Sequence, residues 1–385
     1  MLRNDTPALR RAWHPVLEVG QLGDGLQRVE LLGEGYVLGR VDGEIVAFPD
    51  RCPHRNARLS DGVVVNAPAG PSAQGTRQHI QCPYHGWEFD GTGKCSFIPA
   101  LGPGAAVPPT SQLAQAHVQV RYGLVWIAPE EPVCGILDIP EFDDPDLQVM
   151  WLPCADIHAT AGQFIDNFLD FGHFPFVHAG TFGAGEDAGI SPYEVQVSAD
   201  GWSFVVEYPH TIKNNEDPLV ATGEHPLVQP RNMRYVFGTP FIASLRLELP
   251  LTGMTNVLAI FLQPLDADRS RLYCAMVRND CQSAADRQAA IDYELAVLAE
   301  DLRPRQKDAA VRAEVQSALT TLLAEVNSQV ADYEKLKFIV VAEQPWQIEN
   351  GMLTPTMKIK RANIEKAIEP KLDAWYAANR PVQWA

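Results

Sequence analysis

No stretch of this 385-residue chain approaches the roughly 18 uncharged apolar residues that a membrane-spanning helix needs. The N-terminal MLRNDTPALRRAWHPV also lacks an apolar core of signal-peptide length, so a cytoplasmic protein with no membrane contact is expected. Positive charge is the scarcer sign. The 31 Lys and Arg against 48 Asp and Glu leave a net charge of −17, which argues against nucleic acid and anionic membrane surfaces as partners. Cysteine is sparse and odd in number, seven in all, which argues against a secreted disulfide framework. In a reducing compartment, Cys and His that cluster are better read as metal ligands. A dinucleotide Gly fingerprint and a Gly/Ser/Thr-rich phosphate loop are missing too, so no nicotinamide or nucleotide cofactor is expected on this chain.

Short strands dominate the first part of what is there. Residues 26–50 alternate apolar and polar (Leu26, Val29, Leu31, Tyr36, Leu38, Val41, Ile45, Phe48), and residues 124–127 form another apolar run. An all-β domain over 1–145 follows, with an Ala/Pro/Gly/Ser-rich insertion at 66–75 expected to loop outwards. Residues 159–178 read as one helix with Phe164, Phe168, Phe171 and Phe174 near one face. Strands at 203–208, 242–249 and 256–262 precede a helix from about 283 to 303, so 146–303 reads as α+β. Beyond it, Val311, Val315, Leu319, Leu322, Val326 and Val330 recur at helical spacing, then come a short strand near 338–341 and a final helix. Residues 304–385 therefore read as a small α/β segment.

Two short motifs carry soft thiolates and imidazoles on turns: Cys52-Pro-His54 and Cys82-Pro-Tyr-His85-Gly-Trp. A Rieske centre needs this mixture, two Cys on one iron and two His on the other, which raises the reduction potential above that of an all-Cys cluster. Two Cys and two His also suit tetrahedral zinc, although the Cys-x-His then Cys-x-x-His order is not that of a zinc finger. Through CPHRNARLSDG (52–62) and CPYHGWEFDGTGKC (82–95) the sequence resembles the Rieske ring-hydroxylating oxygenases, over roughly residues 10–303. The 27 residues between His54 and Cys82 exceed the family's usual spacing, and the 66–75 insertion accounts for the excess. Cys95, Cys134, Cys154, Cys274 and Cys281 have no ligand partners at useful spacing and read as packing residues.

The segment DNFLDFGHFPFVH (166–178) carries a second constellation. A dioxygen-activating non-haem Fe(II) takes two His and one carboxylate on one face, and His173 and His178 flank Pro175, which is expected to break the helix between them. Asn167, Asp170, His173 and His178 match the family pattern Asn-x-x-Asp-x-x-His-x-x-x-x-His position by position. The resemblance implies that Asp170 lies between an iron ligand and a cluster-ligating His of a neighbouring subunit, passing electrons and protons. It also implies that the late helical pair Glu300-Asp301 completes the triad, with Asp301 as ligand and Glu300 as the alternate. By the same resemblance the protein is a terminal oxygenase holding a [2Fe-2S] cluster and a mononuclear Fe(II). Electrons would come from a separate NAD(P)H-dependent reductase or ferredoxin, the substrate would be apolar, aromatic or polycyclic, and the assembly a head-to-tail homotrimer. The competing readings are an electron-transfer protein with the cluster alone, and a fusion product without turnover.

The tail is similar to something else. DYEKLKFIVV (332–341), EQPW (343–346) and ENGMLTPTMKIKR (349–361) resemble the C-terminal lid of AMP-forming long-chain acyl-CoA ligases. In such ligases a lysine at the position of Lys358 serves adenylation, but the adenylation core is absent here. Lys358 is expected to be an orphan on a tail fused to a shortened oxygenase, whose own missing C-terminal tail the 311–330 helix would replace.

Overall fold

The structure, a computed structural model, describes residues 3–68, 76–183, 189–342, 352, 359–378 and 380–384, with 302–314 and 332 described by backbone alone. Met1–Leu298 form one compact unit and Ala299–Ala385 a second. EQPW, most of the 349–361 motif and Lys358 lie outside the described residues.

Ten strands build the first part: β1 (His14–Glu18), β2 (Gln27–Leu31), β3 (Glu34–Val41), β4 (Glu44–Pro49), β5 (Val63–Pro68), β6 (Thr76–Gln81), β7 (Glu88–Phe89), β8 (Cys95–Phe97), β9 (His117–Arg121) and β10 (Leu124–Ala128). They form three small sheets, β2-β3-β4, β5-β6-β7-β8 and β1-β10-β9, all antiparallel. Alternation along β3 and β4 sends Val37, Val41, Val46 and Phe48 into a core with Leu59, Ile80 and Phe89. Cys52 and Cys82 belong to that same core. Of the expected insertion, residues 66–68 continue β5 rather than looping out, and 69–75 lie outside the described residues.

A larger antiparallel sheet follows, made of β11 (Gln148–Trp151), β12 (Ala155–Ile157), β13 (Val195–Val197), β14 (Ser203–Lys213), β15 (Val228–Gly238), β16 (Ile242–Leu249), β17 (Met254–Pro264) and β18 (Ser270–Arg278). Its order is β11-β18-β17-β16-β15-β14-β13, with β12 also on β18. Leu124 and Trp126 of β10 share one core with Ile242, Ala259, Phe261 and Tyr273, Trp126 meeting Phe261 edge to face at 5.5 Å. The expected division at 145/146 is therefore crossed by continuous packing. Phe241, Ile242 and Leu245 are buried core.

Three helices cover the sheet's connections: α1 (Ala161–Leu169), α2 (Phe174–Val177) and α3 (Pro218–Thr222). The expected single helix over 159–178 is thus two. α1 starts at a capping box between Thr160 and Gln163, an arrangement worth about 1 kcal/mol. It ends at Asp170, whose backbone is extended. Pro175 does not break a helix but opens one, sitting in the first turn of α2 where its missing N–H costs nothing. Asn4, fully buried, anchors the start of α1: its Oδ1 accepts from the Ala161 N–H, and its amide donates to Asp266 O, Arg269 O and Ser270 Oγ.

The two helices expected around 283–303 and 311–330 are one, α4 (Ala284–Ser328), running on through Pro304. Ser283 and Asp286 cap its start reciprocally. Of the anticipated apolar stripe, Val315, Leu319, Val326 and Val330 are half-buried, but Leu322 is exposed and Leu323 buried in its place. The row 315–319–323 steps by four, the spacing that keeps one face of a helix. In the second unit, β19 (Ile339–Val341) pairs in parallel with β20 (Val382–Trp384), and α5 (Arg361–Ala378) packs Trp375 and Tyr376 against Phe338.

Candidate metal centres

The two Cys/His loops are built alike. The Cys52 N–H bonds Ala57 O at 2.8 Å and the Cys82 N–H bonds Trp87 O at 2.8 Å; their carbonyls accept from Asn56 and Gly86. The fifth residue of each loop takes a positive φ, Asn56 at 55° and Gly86 at 67°. Both Cys are buried, 1% and 2% exposed, whereas His54 and His85 are exposed with ring centroids 4.6 Å apart. The four groups therefore sort into a thiol pair at the buried end and an imidazole pair at the open end. A single zinc would need all four converging on one point; two irons, one sulfur-bound and one nitrogen-bound, need this pairing.

Burial pushes the Cys52 thiol up to about 11, and the neighbouring Cys82 thiol adds to it; the backbone N–H groups of His54 and Arg55 act the other way. Those N–H groups are the donors a cluster thiolate would keep. Trp87 stacks face to face on His54, centroids 4.7 Å apart and rings within 6°. Asp50, its side chain wholly buried, clamps the first loop: it accepts from Arg28 Nη1 at 2.7 Å and from the Ser60 N–H at 2.8 Å and O–H at 2.7 Å. Burial alone would raise its pKa, but those bonds outweigh it and hold the carboxyl low. Sequence reading missed Asp50 because its partners lie on β2 and beyond the loop.

The second constellation sits at the ends of α2. His173 is its N-cap and His178 its C-cap, so four residues of helix turn both imidazoles to one side. Their Nε2 atoms stand 3.1 Å apart. Two nitrogens about 2.1 Å from one ion, at roughly a right angle, stand about 3.0 Å apart, so the pair fits cis ligands of a common metal. His173, His178 and Asp301 each offer one ligand atom, and these atoms all lie within 4.8 Å of one another. Glu300 is buried but is not one of that set. The second Oδ of Asp170 lies 3.4 Å from His173 Nδ1, while its first accepts from the Gly172 N–H at 2.8 Å. Asn167 stands one turn back on α1 and accepts from the Asp170 N–H through its carbonyl.

His178 is buried, stacked on Phe182 with centroids 4.7 Å apart, and its carbonyl accepts from the Gly183 N–H. A Cβ on Gly183 would come within 2.5 Å of Phe174 O and 2.8 Å of His178 O, so only glycine lets this turn close. Of the five other cysteines, Cys95, Cys274 and Cys281 are buried and Cys134 half-buried. Cys154 is no packing residue: it is exposed, with its thiol on Glu18 at 3.2 Å.

Comparison with known proteins agrees with both halves of this geometry. Residues 12–117 match the Rieske [2Fe-2S] domain, and residues 157–329 match the vanillate O-demethylase oxygenase C-terminal domain. The chain joins a Rieske [2Fe-2S] domain to an oxygenase C-terminal domain. That second match runs beyond 303 to the end of α4. The chain is 37% identical over 188 residues to the methylxanthine N3-demethylase NdmB of Pseudomonas putida, spanning 47% of this chain and 51% of that protein. It is 34% identical over 175 residues to the oxygenase component of dicamba O-demethylase from Stenotrophomonas maltophilia, spanning 44% and 48%. These matches thus span about half the length of the curated relatives. The solved structure of NdmB from Pseudomonas putida CBB5 superposes with a TM-score of 0.64 at 29% identity, covering 77% of this chain and 82% of that one. Dicamba monooxygenase, at 21% identity and a TM-score of 0.60, shares the fold. Such Rieske oxygenase domains carry a [2Fe-2S] cluster and a non-haem iron, and the thiol–imidazole pairs and the three-ligand set described above suit those two groups. Among the described residues, no helix is long and apolar enough to cross a membrane.

Proposed function

We propose that this protein is the terminal oxygenase component of a multicomponent Rieske oxygenase of the cytosol, which hydroxylates or oxidatively demethylates an apolar, aromatic or polycyclic substrate. The observation that carries the reading is the presence, on one chain, of a thiol-and-imidazole pair site and a separate His173, His178 and Asp301 set. An electron carrier has use for the first alone. When bound, the cluster supplies electrons singly and the mononuclear iron supplies the centre at which dioxygen reacts. Cys52, His54, Cys82 and His85 would hold the former; His173, His178 and Asp301 would hold the latter, with Asp170 holding the His173 ring by its outer nitrogen.

Demethylation is suggested by the relatives, named for removing a methyl from nitrogen in methylxanthines and from oxygen in dicamba. With no dinucleotide fingerprint on this chain, its electrons would come from a separate NAD(P)H-dependent reductase or ferredoxin. A homotrimer is part of the same reading: the Asp170 side chain is 56% exposed in one copy, open to a neighbour's cluster loop.

Dioxygen uptake by dithionite-reduced protein tests this against a bare electron carrier or a fusion product without turnover. The expected result is uptake that rises with an aromatic methyl ether or N-methyl heterocycle and yields formaldehyde, and that Asp301→Ala abolishes along with mononuclear iron. Uptake indifferent to every such compound, in protein loaded with both metals, would overturn it.

A further inference from the structure

Behind the second centre lies a feature that iron binding does not use. A cavity of about 110 Å³ is walled by Phe171, Phe174, Phe182 and Tyr208, with His210 of β14 among its lining residues. Phe174 and Phe182 also pack on His178, so the cavity abuts the metal ligands through those two rings. Arg231 of β15 lies behind His210, 5% exposed, its guanidinium 4.7 Å over the Phe182 ring. Its Nε–H donates to His210 Nε2 at 2.8 Å.

That bond decides the tautomer. An arginine N–H can only donate, so His210 Nε2 must accept, and the ring proton sits on Nδ1. Burial, and then the Arg231 charge, push His210 down to about 3, so the ring stays neutral. Among the described residues Nδ1 has no protein acceptor. Beside its aromatic rings the cavity is lined by Ser191 and Thr211, and His210 adds a fixed, neutral N–H donor backed by a buried cation.

We propose that His210, its tautomer set by Arg231, is a specificity-determining residue that receives an acceptor oxygen of the aromatic substrate. Placing this cavity in service of the iron rests on the oxygenase reading above; the binding claim does not. An aromatic ring would lie among Phe171, Phe174 and Phe182, and a carbonyl or carboxylate oxygen on it would meet His210 Nδ1–H. A purely hydrocarbon ligand would leave that donor desolvated and unpaired, which is the stronger source of discrimination.

Anaerobic equilibrium dialysis of the holoprotein with acetophenone and ethylbenzene, near-isosteric probes differing by one acceptor oxygen, reads the preference without turnover. The wild type is expected to favour acetophenone about fivefold or more. His210→Phe should bring the ratio to about one. His210→Gln should keep most of it, since its Oε1 can accept from Arg231 while its amide donates into the cavity. An equal ratio in the wild type, or an unchanged ratio in His210→Phe, would overturn the proposal. Retained preference in protein that shows no substrate-dependent oxygen uptake would overturn the oxygenase reading and leave the subsite standing.

Discussion

Asp170 divides one carboxylate between two tasks, accepting the Gly172 N–H with one oxygen and facing His173 Nδ1 with the other. Asparagine keeps the shape and can keep the first bond, but it removes the charge. Asp170→Asn is therefore expected to retain cluster absorbance and both metals while substrate-coupled turnover falls by at least about a hundredfold. Metal analysis beside product formation checks it, and wild-type product yield would remove Asp170 from the electron path. At this scale the ligand types were readable from sequence because coordination demands particular atoms at short spacing: Cys52 with His54, Cys82 with His85, His173 with His178. Asp50, His210 and Arg231 were not. Each acts through a residue brought beside it by strand pairing, Arg28 for Asp50 and the β14–β15 register for the other two. One signal for Arg231 does lie in the strand: Gln229, Arg231, Met233 and Tyr235 alternate as the buried face of β15, which puts an arginine in a core position.

Among the elements, α2 shows how little helix a metal site needs. Four residues and two caps set the 3.1 Å nitrogen separation, and the return of the chain at Gly183 fixes the second cap. Gly183→Ala would press a methyl against Phe174 O and His178 O, neither the end of a flexible side chain, at a cost of about 1–3 kcal/mol. The strain falls on His178 and leaves the Cys/His loops untouched. Thermal melting should drop by several degrees, and mononuclear iron should fall relative to labile sulfide; an unchanged iron-to-sulfide ratio would show that the turn does not hold the ligand. The strands at 203–208, 242–249 and 256–262 were legible because alternation and β-branched residues mark them directly. The break between α1 and α2 does not fall at Pro175, because proline is a breaker only in a helix interior and not in a first turn. The helix ends at Leu169, six residues before Pro175, where Asp170 goes extended and Gly172 follows, and proline in a first turn is a start signal.

For the whole molecule, α4 carries the oxygenase part past the last of its motifs. A division at 303/304 followed from the end of the recognisable Glu300-Asp301 motif and from Pro304, yet α4 continues for 25 residues past Arg303 and the family match ends at 329. A motif ends where its chemistry ends; the helix that carries it must go on. The last four carbonyls of any helix lack intrahelical partners and its final turn frays. In a chain ending at Arg303, Asp301 would stand in that fraying turn, two residues from the terminus, with its carboxylate no longer held in place. In a chain ending at Gln329 it would be seven turns inside. Protein 1–329 should therefore hold mononuclear iron as the full chain does, whereas 1–303 should keep its cluster spectrum and lose most of that iron. Equal iron in the two truncations would mean that α4 beyond Arg303 contributes nothing to holding the Asp301 carboxylate.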